Sequence, residues 1–258
     1  MRRAQQAVVD GRPFAENLVK VLFGVNDRLR SEDVDSPLTE IRTVKSVLLV
    51  VVAGDRGLCG GYNSFLIKAA VNRAAELKKM GVEPKLVCVG NKAIQFFKRR
   101  SDQYNIAANF NVGQAPGTKE AQMIADKLFA EFVSGESDKV ELVYTKFVSL
   151  VNSNPTIQTL LPMAPSGELC DVSGACVDFA EDEIFKLTSK DGAFAVEREK
   201  IDASSSAFDA SLIFEQDPAA LLDALLPLYM NSTVLRALQV GLLTGIFRRN
   251  GTTNETVI

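Results

Sequence analysis

The stretch from Val44 to Ala53, Val-Lys-Ser-Val-Leu-Leu-Val-Val-Val-Ala, limits the fold more than any other feature of the chain. Its aliphatic residues run on without the apolar–polar alternation of a strand that has one wet face. Such a run belongs to a strand buried on both faces, as in a parallel sheet covered by helices. A glycine loop follows, Gly54 to Gly61, and then a helical pattern over Tyr62–Met80 closed by Gly81 as a C-cap. Lys85 to Gly90 reads as a second strand, and about Asn91 to Arg100 and Thr118 to Val133 as two more helices. Val140–Val151 and Thr156–Met163 read as further strands. Strands alternating with helices predict an α/β fold, a mostly parallel, Rossmann-like sheet with packed helices.

Other segments flank this unit. Residues 1–36 read as an N-terminal helix and linker: Phe14, Leu18, Val21, Leu22 and Val25 recur at helical spacing after Gly11-Arg12-Pro13, and an acidic stretch follows. Residues 37–163 are the α/β domain. Residues 164–211 turn polar and turn-rich and read as an insertion of hairpins beside the main sheet. Residues 212–258 hold a C-terminal helix opened by Asp217-Pro218, with Leu221, Leu222, Leu225, Leu226, Tyr229, Leu235 and Leu238 on its apolar face. Pro227 should kink or divide that helix. Gly241, Gly245 and Gly251 suit a long helix poorly, so an atypical tail is expected.

Composition narrows the function. The 258 residues carry a formal charge of -3, which argues against a nucleic-acid partner. No apolar run approaches the roughly 18 residues of a membrane span. The chain has no histidine, so the usual general base and the commonest zinc ligand are missing. The four cysteines, Cys59, Cys88, Cys170 and Cys176, lack structural-zinc spacing, and neither metal nor cofactor is expected.

Two motifs carry chemistry. The loop Gly54-Asp55-Arg56-Gly57-Leu58-Cys59-Gly60-Gly61-Tyr62-Asn63 joins a strand to a helix, where free amides attract phosphates. It matches neither Walker nor G-x-G-x-x-G spacing. A phosphate loop, and hence a nucleotide-binding α/β enzyme, competes here with a tight glycine turn, and the spacing favours the turn. Cys88, within an apolar strand, reads as an inert core thiol. In Cys170-Asp171-Val172-Ser173-Gly174-Ala175-Cys176, the Ser-Gly turn is able to bring two Cα atoms within the roughly 4.4–6.8 Å of a disulfide. Closing so short a loop stabilises by only about 2–2.5 kcal/mol, which suits a reversible switch better than a staple. A thiol oxidoreductase site and two unrelated surface thiols are the other readings. Glu181-Asp182-Glu183 reads as a solvated first helical turn, or as an acidic contact beside the thiols.

Arg2-Arg3-Ala4-Gln5, the glycine loop, Asp223-Ala224-Leu225-Leu226-Pro227-Leu228-Tyr229 and Leu235-Arg236-Ala237-Leu238-Gln239 together resemble gamma subunits of F-type ATP synthases. The insertion with Cys170, Cys176 and Glu181-Asp182-Glu183 resembles the thioredoxin-regulated chloroplast form. That resemblance implies a rotor stalk subunit with no catalytic site, coupling proton-driven rotation to ATP synthesis on the stromal side of the thylakoid membrane. It implies terminal helices paired as an antiparallel coiled coil, here expected to be shortened at both ends. It implies alpha, beta and epsilon subunits, the membrane ring of proton-carrying subunits and thioredoxin as partners. Cys170 and Cys176 would form the redox disulfide, Glu181, Asp182 and Glu183 its acidic cluster, and Asp55, Arg56, Gly57 and Cys59 a contact loop for the beta subunit.

Overall fold

The computed structural model describes residues 43–55, 61–113, 116–147, 153–162, 168–170, 176–178, 183–190, 193–200 and 217–251, with Leu18, Val21, Leu22 and Val25. The N-terminal helix expected over residues 2–30 otherwise lies outside them. Strand β1 (Ser46–Val52) pairs in parallel with β2 (Glu83–Val89) on one edge and with β4 (Lys139–Phe147) on the other. Beyond β2 lies β3 (Asn105–Phe110), also parallel. Beyond β4 lies β5 (Ser153–Leu161), antiparallel. The resulting unit β3-β2-β1-β4-β5 is the mostly parallel α/β sheet that the residue pattern predicts.

Three helices connect the parallel strands: α1 (Tyr62–Lys79), α2 (Asn91–Lys98) and α3 (Thr118–Val133). The first two crossovers step the chain one way along the sheet, and α3 returns it to the far side of β1. Right-handed crossovers in opposite directions must lie on opposite faces. The cores follow this rule. Val47, Leu49 and Val51 of β1 meet Leu66, Ala70, Ala74 and Leu77 of α1 and Phe97 of α2. Leu48, Val50 and Val52 meet Ile124, Leu128 and Phe132 of α3. The second core also receives Leu18, Leu22 and Val25, and Leu226, Tyr229, Met230, Val234 and Leu238 of α4 (Pro218–Gly251). Both terminal segments thus close the same face of the sheet.

The structure departs from the sequence reading in four places. First, β3 (Asn-Ile-Ala-Ala-Asn-Phe) was not expected, because Asn and Ala are poor strand formers. A bulge at Ala107, where Leu86 pairs Ile106 and Val87 pairs Ala108, moves the strand's apolar side chains from one face to the other. Ile106 accordingly packs on the α1 side, and Ala108 and Phe110 on the α3 side. Second, α4 is not divided at Pro227 and stays helical through Gly241 and Gly245 to Gly251. Pro227 is on the exposed side, where solvent can satisfy the carbonyl that its ring leaves unpaired. Third, Glu183 opens a strand, not a helical turn: β8 (Glu183–Lys190) pairs antiparallel with β9 (Ala193–Lys200). Fourth, that hairpin continues the main sheet instead of lying beside it. Thr156 pairs Ile184 and Ile157 pairs Glu183, so seven strands run β3-β2-β1-β4-β5-β8-β9.

Charges bind α1 to the sheet as well as apolar contact. Arg73 Nε and Nη2 donate to Glu141 Oε2 and Oε1 of β4 at 2.9 and 2.7 Å. Lys139 Nζ lies 3.0 Å from the same Oε1, and Glu76 Oε2 stands 3.5 Å from Arg73 Nη1. Arg73, Lys139 and Glu141 are all buried. Burial pushes the Glu141 carboxyl up, but the charges of Lys139 and Arg73 and the guanidinium hydrogen bonds outweigh it and hold it at about 2, against an ordinary 4.5.

Because the folded carboxyl is held below its unfolded value, its stabilisation is complete above about pH 4.5 and is lost as the pH falls toward 2. Urea unfolding of the whole chain at a series of pH values checks this. Glu141→Gln should lower stability at pH 7 by about 3–5 kcal/mol, since it removes the carboxylate that faces two buried cations, and should flatten the acid slope between those pH values.

Candidate functional site

The order β3-β2-β1-β4 reverses between β1 and β4, and ligands of doubly wound sheets bind at the carboxyl ends of strands beside such a reversal. The glycine loop leaves β1 at that point. Its near end is tied down on three sides. Gly54 N donates to Asn63 Oδ1 of α1 at 2.9 Å, Lys92 N of α2 donates to Gly54 O at 3.2 Å, and Asn91 N donates to Asp55 Oδ1 at 2.8 Å. The N-cap residue of α2 is Gly90, which has no side chain to offer, so Asp55 supplies the cap from across the loop. Gly90 is required there on two counts. Its φ is 88°, and a Cβ would stand 2.1 Å from Ala53 O.

The crevice beside this loop is lined by Val52, Ala53, Gly54, Asp55, Val112, Gly113, Pro116 and Leu238. Its free space is about 10 Å³, room for about one water, whereas small-molecule pockets span roughly 300–1,000 Å³. Leu238 of α4 and Pro116 border this crevice at the place where this class of sheet takes a ligand. Among the described residues, no group of three or more His, Cys, Asp and Glu is placed to hold a metal ion. Cys88 is fully buried on β2, and burial pushes its thiol up to about 12, which makes it an inert core residue.

Of the expected contact loop, Asp55 is described, while Arg56, Gly57 and Cys59 lie outside the described residues. Past them, Gly61 packs under the ring of Phe65, which is exposed. The remaining expected residues lie in the insertion. Strands β6 (Glu168–Cys170) and β7 (Cys176–Asp178) form an antiparallel pair in which Cys170 is the register partner of Cys176. Opposed Cα atoms of an antiparallel pair are roughly 4.5–5.5 Å apart, inside the disulfide range. Glu181 and Asp182 lie outside the described residues, and Glu183 stands where β8 joins β5. The sequence reading had assigned no role to Gly90, Asn63, Arg73, Lys139 or Glu141. Lys139 and Glu141 alternate with Val140 and Leu142, a pattern that ordinarily signals a wet face.

The described fold is a Rossmann-like sheet whose C-terminal helix packs on one face, with the cysteine hairpin as a separate two-stranded sheet. The same architecture is found in a solved chain of the central stalk and c-ring portion of the Tetrahymena thermophila mitochondrial ATP synthase. The TM-score is 0.57 at 17% identity, over 99% of this chain and 94% of that one. The ATP synthase family model matches residues 1–244. The chloroplastic ATP synthase gamma chain of Chlamydomonas reinhardtii is 68% identical over 242 residues, covering 94% of this chain and 67% of that protein. The chloroplastic gamma chain of Spinacia oleracea is 56% identical over 249 residues, covering 96% and 68%. The chain belongs to the ATP synthase gamma-chain family, in its chloroplast branch, and is a central-stalk subunit with no catalytic role of its own. It spans about two thirds of the length of those relatives.

The loop geometry makes its own forecast. Gly90→Ala should destabilise the chain by more than about 2 kcal/mol, because strain and a backbone clash add. Asp55→Ala should cost about 1 kcal/mol through the lost cap, and Asp55→Asn, which keeps the acceptor, much less. Equilibrium urea unfolding of the three variants checks both.

Proposed function

We propose that within the stalk this chain uses two surfaces: the glycine loop as a contact for the beta subunit, and the cysteine hairpin as a thioredoxin-operated brake. In this reading the α/β domain forms the foot of the rotor, joined to the epsilon subunit and to the membrane ring of proton-carrying subunits on the stromal side of the thylakoid. The terminal segments, which close one face of the sheet together, continue upward as the shaft within the alpha and beta subunits. Turning that asymmetric shaft carries the beta-subunit sites through successive nucleotide affinities.

One observation carries the switch: Cys170 and Cys176 are register partners at the ends of two short paired strands. A disulfide between them closes the hairpin with little stabilisation, so a dithiol reductant opens it at small cost. Reduction takes two electrons and two protons from thioredoxin, which becomes oxidised to its own disulfide. The closed hairpin hinders rotation, and Glu181, Asp182 and Glu183 act as its acidic cluster. For the loop, the support is its place at the crest of the sheet and the positive charge of Arg56, which suits an acidic surface. The nucleotide-enzyme alternative is disfavoured by a crevice with room for about one water. A thiol oxidoreductase would reduce insulin by itself, whereas this chain should act only as a substrate of thioredoxin.

The test is the ATPase activity of the assembled synthase carrying this chain, before and after reduction by thioredoxin. Reduction should raise the activity of the wild type. Cys176→Ser should be active without reductant and gain nothing from it. A variant that still responds places the switch elsewhere.

A further inference from the structure

We infer that Arg73, Glu141 and Lys139 act as a positioning device, setting where α1 stands on the sheet and so where its Asn63, the acceptor for Gly54 N, holds the start of the loop after β1. The functional consequence rests on the contact role proposed for that loop. Four observations converge on it.

The apolar face of α1 is Leu66, Ile67, Ala70, Ala74 and Leu77. Such a stripe, with small residues at its centre, gives affinity but little direction, because hydrophobic contact is not directional. The guanidinium of Arg73, in contrast, meets both oxygens of Glu141 at 2.9 and 2.7 Å, a geometry that a shift or rotation of the helix breaks. Glu141 is in turn held by Lys139, two residues away on the same face of β4, with 3.0 Å between Nζ and Oε1. The side chains of Arg73, Glu141 and Lys139 are 6%, 1% and 2% exposed, so water does not compete for them.

Stability is a poor reason for such a cluster. Buried ion pairs gain little over well-packed apolar residues of the same volume, because desolvating them offsets most of the attraction. What an apolar trio cannot reproduce is the directional bond between the body of α1 and β4, the strand beside β1. Arg73 lies three turns along the helix from the loop, a span of about 18 Å at 1.5 Å per residue. Over that length a helix moves as a rod, so the register set at Arg73 is the register at which Asn63 meets Gly54.

The experiment uses the assembled synthase with two variants of this chain, Arg73→Lys and the triple replacement Arg73→Met, Lys139→Met, Glu141→Leu. Melting temperature, hydrogen exchange of the amides of residues 54–63 and ATP synthesis are measured on each. Arg73→Lys keeps the charge but removes the fork, and should speed exchange in the loop by about threefold to tenfold with slower ATP synthesis. The triple variant should melt within a few degrees of the wild type and show the same change in the loop. Wild-type exchange at the loop in Arg73→Lys overturns the positioning, whatever the activity. Loss of folding in the triple variant overturns it too, since the triad would then serve stability. Faster exchange with unchanged ATP synthesis upholds the positioning and overturns the contact role of the loop.

Discussion

Strand β1 is hydrogen-bonded along both edges and buried on both faces, and most of the structure is a consequence of satisfying it. A strand of Val and Leu with no wet side needs parallel neighbours left and right and helices above and below. The two neighbours, β2 and β4, are reached by crossovers that step in opposite directions along the sheet. The helices that deliver them must therefore lie on opposite faces, and two separate cores result, one under α1 and α2, the other under α3 and α4. The same reversal places the loop after β1 at the crest of the sheet.

In many α/β proteins that crest is an open crevice. Here the described crevice, bordered by Leu238 and Pro116, has room for about one water, Asp55 is engaged in capping α2, and Gly90 brings the backbone of the second loop against Ala53. Fold and function part company at this point. A scaffold of the kind that often binds a nucleotide belongs here to an ATP synthase gamma chain.

The insertion is attached by different physics. From β4 onward the pairings turn antiparallel, so an added strand needs no covering crossover helix. The β8–β9 hairpin extends the sheet edge through two residue pairs with β5, and the β6–β7 hairpin stands as a separate two-stranded sheet. Such attachments can be added to an α/β core without disturbing its layers. The cysteine pair proposed as a switch is sited on the separate hairpin, so under that proposal it would respond without unfolding the domain.

Much of this was legible in the residues alone. The run from Val44 to Ala53, the helical stripe of α1, the Gly81 cap and the span of α3 each announce their structure through local pattern and turn chemistry, and the cysteine spacing announces a hairpin. These are determined within a few residues of chain. The rest required partners distant in sequence. β3 is a strand because β2 offers an open edge, against the propensity of its own Asn and Ala residues. α4 continues through Pro227 because its opposite side is anchored on the sheet. Arg73, Lys139 and Glu141 look like surface charges in the sequence and lie in the interior, because only the packing of α1 on β4 brings the three together. The sequence by itself determined which segments are buried and where they turn. Tertiary structure decided which charges those segments bury with them, since a buried charge is tolerated only beside an opposite one that the fold must bring to it.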